Sequence, residues 1–157
     1  MIFLINICIP LAILNLTGMK QIIMTKIALD SNILINNHIL DYESKRIIAR
    51  KFFKEEPIVS SQVILEYLNV MRRNFKIPKQ ELIDLCTLWL EKCIIQPVLF
   101  STMKLAQKLI EKYEFQIFDS IIISAALEAD CKIIYSEDMH EGLIVENSLE
   151  IVNPFRF

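Results

Sequence analysis

The chain predicts an α/β domain with a mainly parallel, five-stranded sheet flanked by helices, on three grounds. Short aliphatic runs such as Ile27-Ala28-Leu29 and Ile58-Val59-Ser60 alternate with segments of helical periodicity. Helical segments follow directly on strands, with Asp or Ser at the junction, as strand-to-helix crossovers require. One helical segment, Asp119 to Ala129, is apolar almost all round and therefore belongs at the centre.

In chain order, Ile27 to Leu29 is a buried strand that ends at the polar break Asp30-Ser31-Asn32. Ile33 to Asp41 reads as a short helix and loop. Glu43 to Glu55 is an amphipathic helix with Ile47, Ile48, Phe52 and Phe53 on one face and Lys and Arg on the other, stopped by Pro57. Ile58-Val59-Ser60 is the second strand. Ser60 or Ser61 can cap the helix Gln62 to Asn74, which buries Val63, Ile64, Tyr67, Leu68 and Met71. Pro78 opens a helix to about Cys93, with Leu82, Leu85, Leu88, Trp89 and Leu90 as its apolar face. Ile94 to Val98 is a third strand, placed at an edge by Pro97. Ser101 caps a helix to Tyr113, and Asp119 opens the central helix. Lys132 to Tyr135 and Glu150 to Val152 supply strands four and five. Right-handed crossovers between parallel strands complete the expected topology.

The length of 157 residues suits one domain with a real core. The net charge of −2 excludes bulk electrostatic attraction to nucleic acid, but charge is unevenly spread. Residues 43–79 carry a net +5 and residues 80–157 a net −7, which suits a metal site beside a backbone-binding surface, and equally suits solvated helix faces. The four cysteines form no CxxC pair and read as reduced, buried thiols of a cytoplasmic protein. Two histidines give little support to a zinc site or a Ser-His-Asp triad, and two glycines exclude a Walker loop and a GxGxxG turn.

Ile2 to Leu16 is nearly all apolar, too short for a comfortable membrane span, and lacks the basic flank of a secretory signal. The expectation is an apolar extension over residues 1–24 and a globular domain over residues 25–157, with no membrane partner. A membrane-anchored form is the alternative.

Four acids stand where chemistry is placed in open α/β sheets. Asp30 and Asp138 follow strands, Asp119 opens the central helix where the dipole favours negative charge, and Glu66 lies on the polar side of a helix that follows a strand. Asn69 and Arg73 share the side of Glu66. Each acid has a plain structural explanation. Asp30 and Asp119 can be helix caps, Glu66 a surface residue and Asp138 a turn residue. What those explanations leave open is why all four fall near one sheet edge.

From about Lys26 to Phe157 the chain resembles PIN-domain ribonucleases, above all VapC-type toxins of bacterial toxin–antitoxin pairs. The matching residues are Leu29-Asp30-Ser31-Asn32, Glu66 within 60–66, Phe118-Asp119 leading into Ser124-Ala125-Ala126, Ser136-Glu137-Asp138-Met139, and the closing Ile151-Val152-Asn153-Pro154-Phe155. Ser31 and Ser136 stand where Thr is commoner, and each keeps the hydroxyl. The resemblance implies a three-layer PIN-like fold and an endoribonuclease dependent on Mg²⁺ (or Mn²⁺). In that chemistry a metal-activated water hydrolyses the phosphodiester to a 5′-phosphate and a 3′-hydroxyl. It implies Asp30, Asp119 and Asp138 as metal ligands, directly or through water, with Glu66 as a ligand or a positioner of the nucleophile. Asn32 and Ser136 orient these carboxylates, and Glu137 supports them or faces solvent. Arg73, Arg46 and Arg50, with Lys51 and Lys76, are the candidates for RNA phosphate contacts, Arg73 foremost for its helical side. The implied partners are an RNA substrate, a second copy of the chain, and a small antitoxin whose tail folds across the acidic groove and brings an Arg to the site. Two other readings stand beside this one. A phosphatase DxD requires an acid where Asn32 stands, and a PIN-like module that binds RNA or protein without cutting would be favoured by loss of the acids.

Overall fold

A computed structural model describes residues 25–38 and 43–156. The expected extension over residues 1–24, the end of the first expected loop (39–41), and Cys8 lie outside the described residues. The elements run β1 (Ile27–Leu29), α1 (Ser31–His38), α2 (Glu43–Phe52), β2 (Ile58–Ser60), α3 (Ser61–Phe75), α4 (Lys79–Leu90), β3 (Ile94–Gln96), α5 (Phe100–Tyr113), α6 (Ile117–Glu128), β4 (Ile133–Tyr135), β5 (Ile144–Val145) and β6 (Leu149–Val152). The strands form one sheet in the order β3-β2-β1-β4-β6-β5, flanked by the six helices. All pairings are parallel except β5 with β6.

The chain winds from β1 outward to β3, then returns to place β4 on the other side of β1. The β1/β4 boundary is therefore the point where winding reverses, the place at the carboxyl ends of the strands where open α/β sheets form a ligand-binding crevice. The register pairs Leu29 with Tyr135. The next residues of those two strands, Asp30 and Ser136, are consequently neighbours, and the Asp30 N–H donates to the Tyr135 carbonyl at 3.0 Å.

The core lies on the central strands and the faces of the helices that meet them. Leu29, Val59, Ile123 and Ile134 are buried, as is Tyr67 of α3. From Ser120 to Ala126 every residue of α6 is buried, which meets the expectation of a central helix. Its two buried hydroxyls bond backward, Ser120 Oγ to the Ile117 carbonyl at 2.6 Å and Ser124 Oγ to the Ser120 carbonyl at 2.7 Å, so neither is left unsatisfied.

Several expectations are corrected. The sheet has six strands rather than five. The additional β5 is only two residues long, and its hairpin turns through Glu146 and Asn147, both at positive φ. An Asn-Gly or Asp-Gly pair, the usual signal for such a turn, is absent. The cap of α5 is not Ser101. Leu99 precedes the helix, and Thr102 Oγ1 accepts its backbone N–H at 2.9 Å. Helix α6 begins at Ile117, so Asp119 stands in the first turn rather than at its opening. Ile47 and Leu88, assigned to buried faces, are 52% and 55% exposed, because neighbouring elements cover a narrower stripe than the periodicity outlines. Cys86, Cys93 and Cys131 are free thiols; Cys86 and Cys131 are buried as expected, whereas Cys93 is only half-buried. No helix among the described residues is long and apolar enough to cross a membrane.

With two glycines in the chain, helix ends use other residues in the left-handed region: Lys76 closes α3 at φ 52° and Glu114 closes α5 at φ 57°. The start of α3 is better served. Ser60 Oγ accepts the Val63 N–H at 3.2 Å. Ser60→Ala removes that buried cap and is expected to lower unfolding free energy by about 1 kcal/mol. Denaturant unfolding checks this, and an unchanged midpoint would contradict the cap.

Candidate active site

Asp30 is the buried member of the group, 5% exposed, immediately after β1. Its Oδ1 accepts the Ser31 N–H at 2.5 Å. Its Oδ2 accepts from Ser136 Oγ at 2.7 Å and from Asn32 Nδ2 at 3.0 Å. Asn32 Nδ2 also points to Asp138 Oδ2 at 3.5 Å and to Ser136 Oγ at 3.3 Å. Ser136 Oγ in turn accepts the N–H groups of Asp138 and Met139, at 3.3 and 3.2 Å. Asp30, Asn32, Ser136 and Asp138, from chain segments about a hundred residues apart, thus form one hydrogen-bonded network. The parallel register supplies the proximity, and one amide and one hydroxyl supply the orientation.

Glu66 and Asp119 join this network electrostatically. Burial is the main cause that pushes the Asp30 carboxyl up from 3.8 to about 6; the Ser136 and Ser31 hydrogen bonds oppose it, and the charges of Glu66 and Asp119 add to it. Asp119 is also raised, first by burial and then by the charges of Glu66 and Asp138. Glu66 is half-buried, and Gln62 Nε2 donates to its Oε1 at 2.9 Å. Asp138 is exposed. Among the described residues no Lys or Arg forms an ion pair with any of the four acids. A partly buried set of carboxylates with no counter-ion among the described residues favours a cation.

The donor set is all oxygen, which suits a hard divalent ion rather than zinc. Among the described residues no group of three or more His, Cys, Asp or Glu side chains is placed to hold a metal ion. Mg²⁺ is commonly held by one or two carboxylates and keeps several waters, so an open carboxylate set fits it.

The expected phosphate contacts stand apart from this network. Arg73, Arg50, Lys51 and Lys76 are exposed, and Arg46 pairs with Glu43 of its own helix at 3.8 Å. Glu137, the residue between Ser136 and Asp138, is not left to solvent. It is half-buried and ion-paired with Lys45 of α2. Neither Lys45 nor Asn36, which also bonds Glu137, was singled out from the sequence. The one available signal is the Asn32/Asn36 spacing of a single helical turn, which puts both amides on the same side of α1.

The family model for the PIN domain matches residues 27–140. Among solved structures, the chain is similar to one from a toxin–antitoxin complex of Klebsiella pneumoniae, with a TM-score of 0.62 at 15% identity over 85% of this chain and 100% of that one. It is similar to a chain of VapBC2 from Rickettsia felis, solved bound to a promoter DNA fragment, with a TM-score of 0.61 at 17% identity over 81% and 98%. It is also similar to Mycobacterium tuberculosis VapC20, a toxin that cleaves the sarcin–ricin loop, with a TM-score of 0.57 at 10% identity over 69% and 87%. At these identities the likeness is one of fold. No curated protein sequence matches the chain significantly.

The raised Asp30 carboxyl makes stability depend on pH. Its folded value of about 6 lies above the unfolded 3.8, so the folded chain holds the extra proton between those values. Cation-free protein therefore loses this group's contribution as pH rises through that window. Asp30→Asn does not titrate, and its stability relative to wild type is expected to improve from pH 4 to pH 7 by about 2 kcal/mol. Paired unfolding curves in chelator check this; a difference independent of pH would contradict the raised value.

Proposed function

The chain belongs to the PIN-domain family, and from that premise we propose that it is a divalent-metal-dependent endoribonuclease, the toxin of a toxin–antitoxin pair. The observation that carries the reading is the buried Asp30 carboxylate at the point of reversed winding. Asn32 and Ser136 tie it to the Asp138 segment, and it is in electrostatic reach of Glu66 and Asp119 with no cationic partner among the described residues.

In this reading Asp30, Asp119, Asp138 and Glu66 hold Mg²⁺ or Mn²⁺. A bound divalent ion would supply Lewis-acid stabilisation of the phosphodiester oxygens and a more acidic water. The protein's own contribution is orientation and charge. Ser136 Oγ and Asn32 Nδ2 fix one oxygen of Asp30, and the Ser31 N–H fixes the other. Gln62 engages Oε1 of Glu66, which leaves Oε2 to hold the cation or to accept a proton from the attacking water. Asp138, the exposed acid, faces the side from which a long polyanion can approach. Arg73, Arg46 and Arg50 are the proposed contacts to RNA phosphates remote from the reacting bond, where charge positions the strand without reading its sequence.

Solved relatives come from toxin–antitoxin complexes. On that basis and on the family resemblance, a cognate antitoxin and a second copy of this chain are the proposed partners, and the cytoplasm the proposed location. The PIN domain is proposed to occupy residues 25–157, with residues 1–24 as an extension to it.

The test is cleavage of total transfer RNA by the full chain freed of any partner. Cutting is expected in Mg²⁺ or Mn²⁺ and not in chelator. Asp30→Asn and Asp119→Asn are each expected to lower the rate at least about 100-fold, while both variants keep a cooperative unfolding transition. A wild-type protein that cuts nothing with either metal would overturn the enzymatic reading in favour of a non-catalytic module that binds RNA or protein.

A further inference from the structure

Glu137, beside the four acids, is held at both backbone groups and at both carboxylate oxygens. Its backbone N–H donates to Asn32 Oδ1 at 3.2 Å. Its backbone carbonyl accepts from Asn153 Nδ2, near the C-terminus, at 3.1 Å. Its Oε2 accepts from Asn36 Nδ2 at 3.0 Å, and the same amide donates to the Asn32 carbonyl at 2.9 Å. Its Oε1 accepts from Lys45 Nζ, and the two side chains are 27% exposed each. Lys45 Nζ also lies 5.2 Å from the centre of the Phe155 ring, and the Phe155 N–H is held by Asn153 Oδ1 at 2.9 Å. Glu137 thus joins α1, α2, the segment after β4 and the C-terminal tail.

Its neighbours in sequence are Ser136, which bonds Asp30, and Asp138, the exposed acid. Asp138 itself has weak support: its Oδ2 contact to Asn32 is 3.5 Å long, and its N–H bond to Ser136 Oγ is 3.3 Å. Charge-assisted bonds hold the two residues before it: Ser136 Oγ donates to Asp30 Oδ2 at 2.7 Å, and Glu137 pairs with Lys45. A rigid peptide carries that restraint to the adjacent Cα.

We propose that Lys45 and Glu137 are a positioning pair: their ion pair fastens the Ser136–Asp138 segment and so sets where the Asp138 carboxylate stands toward the cation. Divalent-ion affinity then depends on a lysine of α2. The pair also neutralises a fifth carboxylate that would otherwise add its charge to the cluster. This inference rests on the proposed cation-binding role of the four acids, and its test reads binding rather than cleavage.

Mn²⁺ affinity of the full chain, freed of any partner, is measured by isothermal titration calorimetry for wild type, Lys45→Met, Glu137→Gln and Lys45→Arg. Circular dichroism establishes that each is folded at the working temperature. Positioning predicts that Lys45→Met and Glu137→Gln each weaken Mn²⁺ binding about tenfold, while Lys45→Arg stays within about twofold of wild type. A pair that acts only through its electric field predicts opposite signs, because Lys45→Met leaves an extra negative charge and should tighten binding. Opposite shifts, or both variants within about twofold of wild type, would overturn the inference. If Lys45→Met does not fold, Glu137→Gln is compared with wild type at low and at about 0.5 M salt: a weakening that persists in high salt supports positioning, and one that screening removes overturns it. Wild type that binds Mn²⁺ yet cuts no RNA removes the nuclease reading and leaves the pair to be judged on affinity. Wild type that binds no Mn²⁺ overturns both.

Discussion

The register between β1 and β4 is the constraint on which the site depends. Leu29 pairs with Tyr135, so the next residue of each strand arrives at the same place on the sheet edge. Asp30 and Ser136 then share a hydrogen bond of 2.7 Å, and Asn32 completes the connection to Asp138. A slip of one residue would exchange the two buried faces of β1, so that Leu29 met the space shaped for Ala28, and would carry Asp30 away from Ser136. Core and site are therefore fixed by the same hydrogen-bond ladder. Burial of Leu29 and Ile134 supplies the driving force, and the position of the acid follows from it.

The site draws acids together against their own repulsion. Burial disfavours the charged form of Asp30, and Glu66 and Asp119 add like charge. Three hydrogen bonds to the Asp30 carboxylate work in the other direction. The balance leaves an acid whose proton is held unusually tightly in the absence of a cation, and a bound divalent ion would reverse that preference. Glu137 shows the contrasting solution a few ångströms away, a carboxylate satisfied by the protein's own lysine. Two adjacent acids in the sequence, Glu137 and Asp138, thus have different electrostatic surroundings, one paired within the fold and one turned toward solvent.

Much of the architecture was legible in the sequence because local and global signals agree. Aliphatic runs of two or three residues, each followed within two residues by a polar one, mark all the parallel strands, and Pro97 correctly puts β3 at the edge. What escaped was set by geometry with weak local signatures. β5 is two residues long, with Glu146 and Asn147 in a turn where glycine is the usual marker. Ile47 and Leu88 fit the helical stripe yet remain exposed, since periodicity gives the direction of a face and not how far a neighbour covers it. At the site, the residues that hold one another locally, Asp30, Asn32 and Ser136, are recognisable by type and position at strand ends. The Lys45–Glu137 pair spans 92 residues of sequence and has no pattern that could announce it. Long-range pairing of charged side chains is decided by the fold, so it becomes visible only once the fold is known.

If Asp30, Glu66, Asp119 and Asp138 hold a divalent cation together, the ion can be located directly. The most direct measurement is a crystal soaked in Mn²⁺ and recorded at a wavelength where manganese scatters anomalously. Shared binding predicts an anomalous peak within about 2.5 Å of carboxylate oxygens from at least two of Asp30, Glu66, Asp119 and Asp138, with water filling the remaining coordination positions. Saturating Mn²⁺ with no peak among these four side chains, in a crystal where the crevice is open to solvent, would contradict it.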